Sequence, residues 1–194
     1  MSTAVIPLAS GCEELEAVTV IDLLRRAGFD VTTAGLDDGP VTASRKTVLI
    51  PDTTLDAIQS KTFDLIALPG GLPGAAALAE SPNLEKMLVD QHKRSGWIGA
   101  ICAAPRVLAV HGMLAGRRAT AFPGALDEFS GQVGTISDAP LVVDGHLVTS
   151  RGPGTAMDFA LKLIELLDGE AAKDKVEAAL QRPRNHTTRE LPVH

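Results

Sequence analysis

Trp97-Ile98-Gly99-Ala100-Ile101-Cys102-Ala103-Ala104-Pro105-Arg106-Val107-Leu108-Ala109-Val110-His111 reads as a short apolar strand, a tight turn at Cys102 and a helical run. Pro105 is tolerable in that run because it falls in the first turn, where its missing N–H removes no helical bond. Working outward, the same unit recurs. Thr3 to Ala9 is an apolar run followed by a helical pattern from Glu13 to Gly28, and Phe29 to Gly35 is short and β-branched. Thr47 to Ile50 reads as another strand. Phe63 to Leu68 is a bounded apolar run of the kind buried in a parallel sheet. Ser81 as N-cap with Pro82 at the first helical position opens a helix that runs to about Arg94. Downstream, Leu141 to Thr149 predicts a hairpin turning at Asp144-Gly145, and Thr155-Ala156-Met157-Asp158 is a capping pattern ahead of Phe159 to Leu167. Gly169 separates that helix from a last one over Glu170 to Leu180. Strand–helix alternation predicts a single doubly wound α/β domain over 1–181, with a mostly parallel sheet, one local hairpin and a tail over 182–194. Ligands of such folds bind at the carboxyl ends of the strands.

The chain has 194 residues, 45% of them apolar and 22% charged, with a net charge of −6, which excludes disorder as the main state. Its acidic balance and six aromatic residues (five Phe, one Trp) give neither the basic stripe nor the stacking surface of a nucleic-acid binder. No stretch approaches the roughly 18 to 20 apolar residues of a membrane helix, and Met1 to Val5 is no secretory leader, so the expected location is cytoplasmic. Two cysteines are too few for a disulfide framework and are expected to be reduced.

Three of the turns after strands carry unusual residues. Cys102 faces a predicted helix N-terminus, which would lower its pKa toward ~3.5 to 7.5 and make it reactive; the local sequence alone favours a small buried hydrophobe. Gly70-Gly71, directly after a buried strand, permits backbone N–H groups to face a ligand as in an oxyanion site, or is an ordinary turn. Glu16 shares a helical face with Cys12, Val20, Leu23 and Ala27, so it points inward, and a carboxyl among apolar groups has its pKa raised. Ser10-Gly11-Cys12-Glu13 matches a capping box, which gives Glu13 a structural role, and Glu14 is predicted to be a solvated helix residue. Cys12, at the end of the first strand, reads as a packing thiol, with an approach to Cys102 in the fold as the other reading. His111 lies nine residues beyond Cys102, about 13.5 Å along a helix and too far to be its base. His92, His146, His186 and His194 show no metal-ligand spacing, and neither a phosphate loop nor a GxGxxG is present, so no metal or dinucleotide is expected.

Glu13-Glu14-Leu15-Glu16-Ala17-Val18, Ser44-Arg45, Leu68-Pro69-Gly70-Gly71, Ala100-Ile101-Cys102-Ala103-Ala104-Pro105 and Thr149-Ser150-Arg151-Gly152-Pro153-Gly154-Thr155 stand in the order and spacing of the ThiJ/PfpI superfamily. The chain most resembles its Parkinsonism-associated protein deglycase branch, over about residues 3 to 180. The resemblance implies a flavodoxin-like, class I glutamine amidotransferase-like sandwich that forms a homodimer. It implies Cys102 as nucleophile on a strained elbow, Glu16 as its protonated carboxyl partner, and an oxyanion site from the backbone of Gly71 and Ala103, with Gly70 beside them. Arg26 and Arg45 match positions near the family's dimer interface. The implied activities are glutathione-independent glyoxalase, deglycase of glyoxal adducts on proteins or nucleotides, and oxidation-responsive stress protein or chaperone, all without a cofactor.

Two departures shape that expectation. Ala103 replaces the His that follows Cys in the protease-like PfpI branch, which disfavours peptidase activity. Phe122 stands where the Parkinsonism-associated member has a pocket His. The leading expectation is a cofactor-free enzyme on α-oxoaldehydes or their adducts; the rival is a sensor in which Cys102 is oxidised without turnover.

Overall fold

The computed structural model describes residues 1–182. Its elements run β1 (Thr3–Leu8), α1 (Glu14–Ala27), β2 (Asp30–Gly35), β3 (Val41–Thr42), β4 (Val48–Leu49), β5 (Thr53–Thr54), α2 (Leu55–Ile58), β6 (Leu65–Leu68) and α3 (Leu72–Ala79). They continue with α4 (Pro82–Lys93), β7 (Trp97–Ile101), α5 (Pro105–Val110), β8 (Arg118–Ala119), β9 (Thr135–Ile136), β10 (Leu141–Asp144), β11 (Leu147–Ser150), α6 (Ala156–Asp168) and α7 (Glu170–Ala179).

Seven strands form one sheet in the order β10-β11-β7-β6-β1-β2-β5. All neighbours are parallel except β10 and β11, the expected hairpin, which turns through Gly145 at φ +62°. The central strands are buried along their length because helices flank the sheet: α1 packs with α6 and α7, while α3 packs with α4 and α5. The fold is therefore the doubly wound, mostly parallel α/β architecture that the alternation of elements predicts, of the flavodoxin-like kind that the resemblance implies. Its consequence for function is geometric. β1, β6, β7 and β11 are adjacent and parallel, so the turns after Leu8, Leu68, Ile101 and Ser150 emerge side by side at one edge.

Several local expectations change. Thr47 to Ile50 is not a strand of the main sheet: only Val48–Leu49 is extended, paired antiparallel with β3 in a separate ladder. Its half-exposed apolar side chains carry no parallel-sheet burial pattern, which the short run could not reveal. The edge strand β5 was absent from the sequence reading, being only Thr53–Thr54 held beside β2. Ser10 does not open a capping box. Glu13 is the N-cap of α1, without a side-chain cap, and its carboxylate instead accepts a hydrogen bond from Ser44 Oγ at 2.6 Å. Thr155 is the N-cap of α6, but its hydroxyl turns back to the Gly152 carbonyl at 2.9 Å. Ser81 does cap α4, accepting from the Leu84 N–H at 3.3 Å. Of the expected tail only Arg182 is described, bound to Asp158 at 2.8 Å; residues 183–194 lie outside the described residues.

Helix α6 packs closely on the sheet at Gly99 of β7, where a Cβ would come within 2.8 Å of the fully buried Phe159 ring. Phe159→Ala leaves a cavity directly beneath the strand that ends at Cys102 and is expected to lower unfolding stability by ~3 to 5 kcal/mol. Urea unfolding checks this, and a loss under 1 kcal/mol on the same scale would contradict the packing account.

Candidate active site

Cys102 follows the last residue of β7 and has φ +63°, a left-handed conformation that costs a side-chain-bearing residue roughly 1 to 3 kcal/mol. Two hydrogen bonds hold it there: its N–H donates to the Ser150 carbonyl at 2.9 Å, and its carbonyl accepts from the Phe122 N–H at 2.8 Å. The elbow tips the thiol toward the turn after β6. The backbone N–H groups of Gly71 and Ala103 face its sulfur.

Glu16 reaches the same place from the first turn of α1. It is fully buried, on the face it shares with Ala17, Val20, Leu23 and Leu24, as the helical geometry requires. Its Oε2 accepts the Gly70 N–H at 2.8 Å, while Oε1 is buried with no hydrogen-bond partner among the described residues. Gly70 is the hinge of the arrangement. A Cβ on it would lie 2.6 Å from both Cys102 Cβ and Glu16 Oε2, so only glycine lets these two side chains close over it. Its carbonyl accepts from Glu13 N–H at 2.9 Å. Because the Gly70 N–H is given to Glu16, it is not free for an oxyanion, and the expectation that Gly70 donates there is corrected; Gly71 and Ala103 remain. Gly71 has φ +88°, and a Cβ on it would meet Glu13 N at 2.7 Å.

The acid–base properties follow from burial. Removal from water pushes the Glu16 carboxyl up to about 7, against the pull of the Gly70 N–H and of Cys102. Burial, the Glu16 charge and the hydrogen bond to Glu16 push the Cys102 thiol up to about 12, against the Gly71 and Ala103 N–H groups. A thiol acidified by a helix terminus alone is thus not what the fold provides. α5 begins three residues later, at Pro105, and is only six residues long. Cys102 and Glu16 form one acid–base pair, which loses a first proton near 7 and a second near 12. Below about 7 the pair holds both protons; above it, Glu16 carries the charge and the Cys102 thiol keeps its proton.

The remaining candidates separate into those at the cleft and those away from it. A cleft of about 590 Å³ opens over Cys102, between Arg45 and Gly71 on one side and Arg106 and Phe122 on the other. Arg45 is held by its backbone N–H, which donates to Glu14 Oε1 at 2.9 Å. Glu14 is therefore not a solvated helix residue. Although burial pushes its pKa up, donation from backbone and Ser44 groups outweighs this and holds the carboxyl near 2. Arg26 lies away from the cleft, paired with Asp22 at 2.6 Å. Cys12 is fully buried and its thiol is pushed up to about 11, chiefly by burial. Both cysteines are free thiols. The sequence reading missed the Arg106–Glu128 ion pair at 2.6 Å on the cleft rim, although Arg106 follows Cys102 by one helical turn. It also missed that His92 Nδ1 and His146 Nε2 meet at 3.0 Å, a contact made only because the hairpin turn lies beside the end of α4. Among the described residues no three His, Cys, Asp or Glu side chains converge to hold a metal ion, and no helix is long and apolar enough to cross a membrane.

A parallel α/β sheet with a left-handed cysteine elbow backed by a buried carboxyl defines a recognisable class of protein. The DJ-1/PfpI family profile matches residues 2–166, and the chain belongs to that family, in its DJ-1 branch. It is similar to Protein dj-1beta of Drosophila melanogaster, 45% identical over 176 residues that cover 90% of this chain and 92% of that one. The crystal structure of that fly protein superposes with a TM-score of 0.90, at 44% identity, over 93% of this chain and 98% of the other. Oxidized Toxoplasma gondii DJ-1 gives a TM-score of 0.89 at 39% identity, over 93% and 98% of the two chains. The Caenorhabditis elegans protein named glutathione-independent glyoxalase DJR-1.2 is 41% identical over 157 residues, covering 81% of this chain and 83% of that one.

The raised Glu16 carboxyl has a signed consequence for stability. Its folded pKa lies above the ordinary 4.5, so its contribution is full below about 4.5 and is lost as pH rises through about 7. At about 1.4 kcal/mol per unit this amounts to about 3 kcal/mol. Glu16→Gln, which cannot ionise, is therefore expected to gain stability relative to wild type as pH rises from 4.5 to 8. Urea unfolding at the two pH values tests this; a difference independent of pH would show that the carboxyl is not held protonated.

Proposed function

We propose that this chain is a cofactor-free glyoxalase of small α-oxoaldehydes, acting through Cys102 and Glu16. The observation that carries the proposal is the Cys102–Glu16 pair closed over Gly70, with two backbone N–H groups facing the sulfur. The naming of a 41% identical relative as a glutathione-independent glyoxalase supports it.

In the proposed reaction the Glu16 carboxylate takes the proton of the Cys102 thiol as the aldehyde enters the cleft, which puts the negative charge on sulfur. The thiolate adds to the aldehyde carbon, and the oxyanion formed is held by Gly71 and Ala103 N–H until Glu16 protonates it. The Glu16 carboxylate next removes the hydrogen of that carbon and returns it to the neighbouring former ketone carbon through an enediol, leaving a 2-hydroxy thioester on Cys102. Water hydrolyses the thioester, releasing the 2-hydroxy acid and restoring the pair. One carbon is oxidised and its neighbour reduced, so no external redox partner enters. The same site would take glyoxal adducts of proteins or nucleotides, with departure of the amine or thiol making it a deglycase. Both activities fit a stress-response role of the DJ-1 kind.

A second reading has its own support. A relative with 39% identity is known in an oxidized form, and two N–H donors at Cys102 would also stabilise a sulfinate, as in an oxidation sensor or chaperone. Turnover separates the two. In amine-free and thiol-free buffer the wild type is expected to convert methylglyoxal to lactate catalytically, Cys102→Ser to make none, and Glu16→Gln to lose about 10²- to 10⁴-fold while remaining folded. Undiminished lactate from Cys102→Ser would overturn the mechanism. No lactate from wild type, with ready formation of a stable sulfinate, would favour the sensor.

We further propose a homodimer. Half-exposed Val18 on α1 and Ile50, at 46% and 81% exposure, line one surface depression with Leu49, and a second copy would cover them. Sedimentation equilibrium is expected to give the mass of two chains for wild type and of one for the double variant Val18→Glu, Ile50→Glu; a single-chain mass for wild type would refute it.

A further inference from the structure

A three-carbon aldehyde leaves most of the cleft over Cys102 empty. Its volume of about 590 Å³ is that of sites enclosing ligands several times larger. The walls define what else is recognised. Leu72, the first residue of α3, and Phe122 both line it and are 59% and 50% exposed, with Pro123 and Pro153 in the same wall. Neither large side chain serves the core. Of the charged groups on the rim, Arg106 pairs with Glu128 at 2.6 Å and Glu13 accepts from Ser44 at 2.6 Å, while exposed Arg45 is bonded through its backbone N–H. Most of the wall is nonetheless apolar, from Leu72, Pro73, Phe122, Pro123, Ala125 and Pro153.

Phe122 is also tied to the nucleophile. Its N–H donates to the Cys102 carbonyl at 2.8 Å, and its ring lies where a Cβ on Gly152 would be 3.4 Å away. The ring therefore has a set position relative to the elbow. A substituent on the ketone carbon of a substrate bound to the sulfur would extend between this ring and Leu72.

We propose that the cleft selects α-oxoaldehydes with an aromatic or branched apolar substituent over methylglyoxal, with Phe122 and Leu72 as the specificity-determining side chains. The inference rests on the reading that Cys102 turns over α-oxoaldehydes. For an aryl substrate the balance is unchanged: arylglyoxal plus water gives the aryl 2-hydroxy acid, the aldehyde carbon oxidised and the ketone carbon reduced.

The test measures mandelate from phenylglyoxal and lactate from methylglyoxal with wild type, Phe122→Ser, Phe122→Leu and Leu72→Ser. The readout is the ratio of the two kcat/KM values, which cancels intrinsic effects of a variant on Cys102. Loss of one aromatic contact is expected to lower the phenylglyoxal-to-methylglyoxal ratio by about tenfold in Phe122→Ser, mainly through KM for phenylglyoxal. Leu72→Ser is expected to lower it in the same direction, and Phe122→Leu, which keeps an apolar wall, to retain most of it. An unchanged ratio in both serine variants, with Cys102-dependent turnover intact, would overturn this inference and leave the glyoxalase reading standing. Absence of wild-type turnover on either aldehyde would overturn that reading and this inference together.

Discussion

The site depends on one peptide, that of Gly70. Its N–H binds Glu16, its carbonyl binds the Glu13 N–H, and its missing Cβ lets Cys102 and Glu16 approach each other. These contacts join the turns after β1, β6 and β7, three neighbouring strands of the sheet. Any side chain at position 70 would have to displace the Cys102 side chain, the Glu16 carboxyl or the Ile101 carbonyl. The hydrogen bonds that pin Cys102 in its left-handed conformation come from the next two segments, Ser150 and Phe122. The strain at Cys102 is thus sustained by the sheet as a whole and not by its own turn.

The same closure sets the chemistry. A carboxyl and a thiol shielded from water cannot both ionise near neutrality, since burial disfavours each charge and each charge disfavours the other. The result is a single exchangeable proton between two groups. Backbone N–H donors at the sulfur offer the negative charge a place to reside, and the unpartnered Glu16 Oε1 offers one to the proton. Such a pair suits a reaction in which one group attacks while the other gives and takes protons.

Much of this was legible in the chain. The apolar runs before Cys102 and Gly70, and the 100° spacing that turns Glu16 inward with Val20 and Leu23, are local patterns with a direct physical reading. What was not legible depends on distant segments. Glu14 looked like a solvated residue because its donors, the Arg45 and Thr47 N–H groups, are about thirty residues away. Gly70 looked like an oxyanion donor because nothing local shows that its N–H is taken by Glu16. A helix terminus was assigned to Cys102, whereas Ala103 and Ala104 are used to close the elbow before Pro105 starts α5. The short ladder of β3 and β4 lacks the length that periodicity needs to distinguish an outlying hairpin from a sheet strand.

The central claim is that Glu16 holds its proton up to about 7 because burial removes it from water, against the pull of the Gly70 N–H and of Cys102. Carbon-13 NMR of the labelled Glu16 carboxyl, followed through a pH titration of the intact protein, tests this most directly. The account predicts a midpoint near 7; a midpoint near the ordinary 4.5 would contradict it.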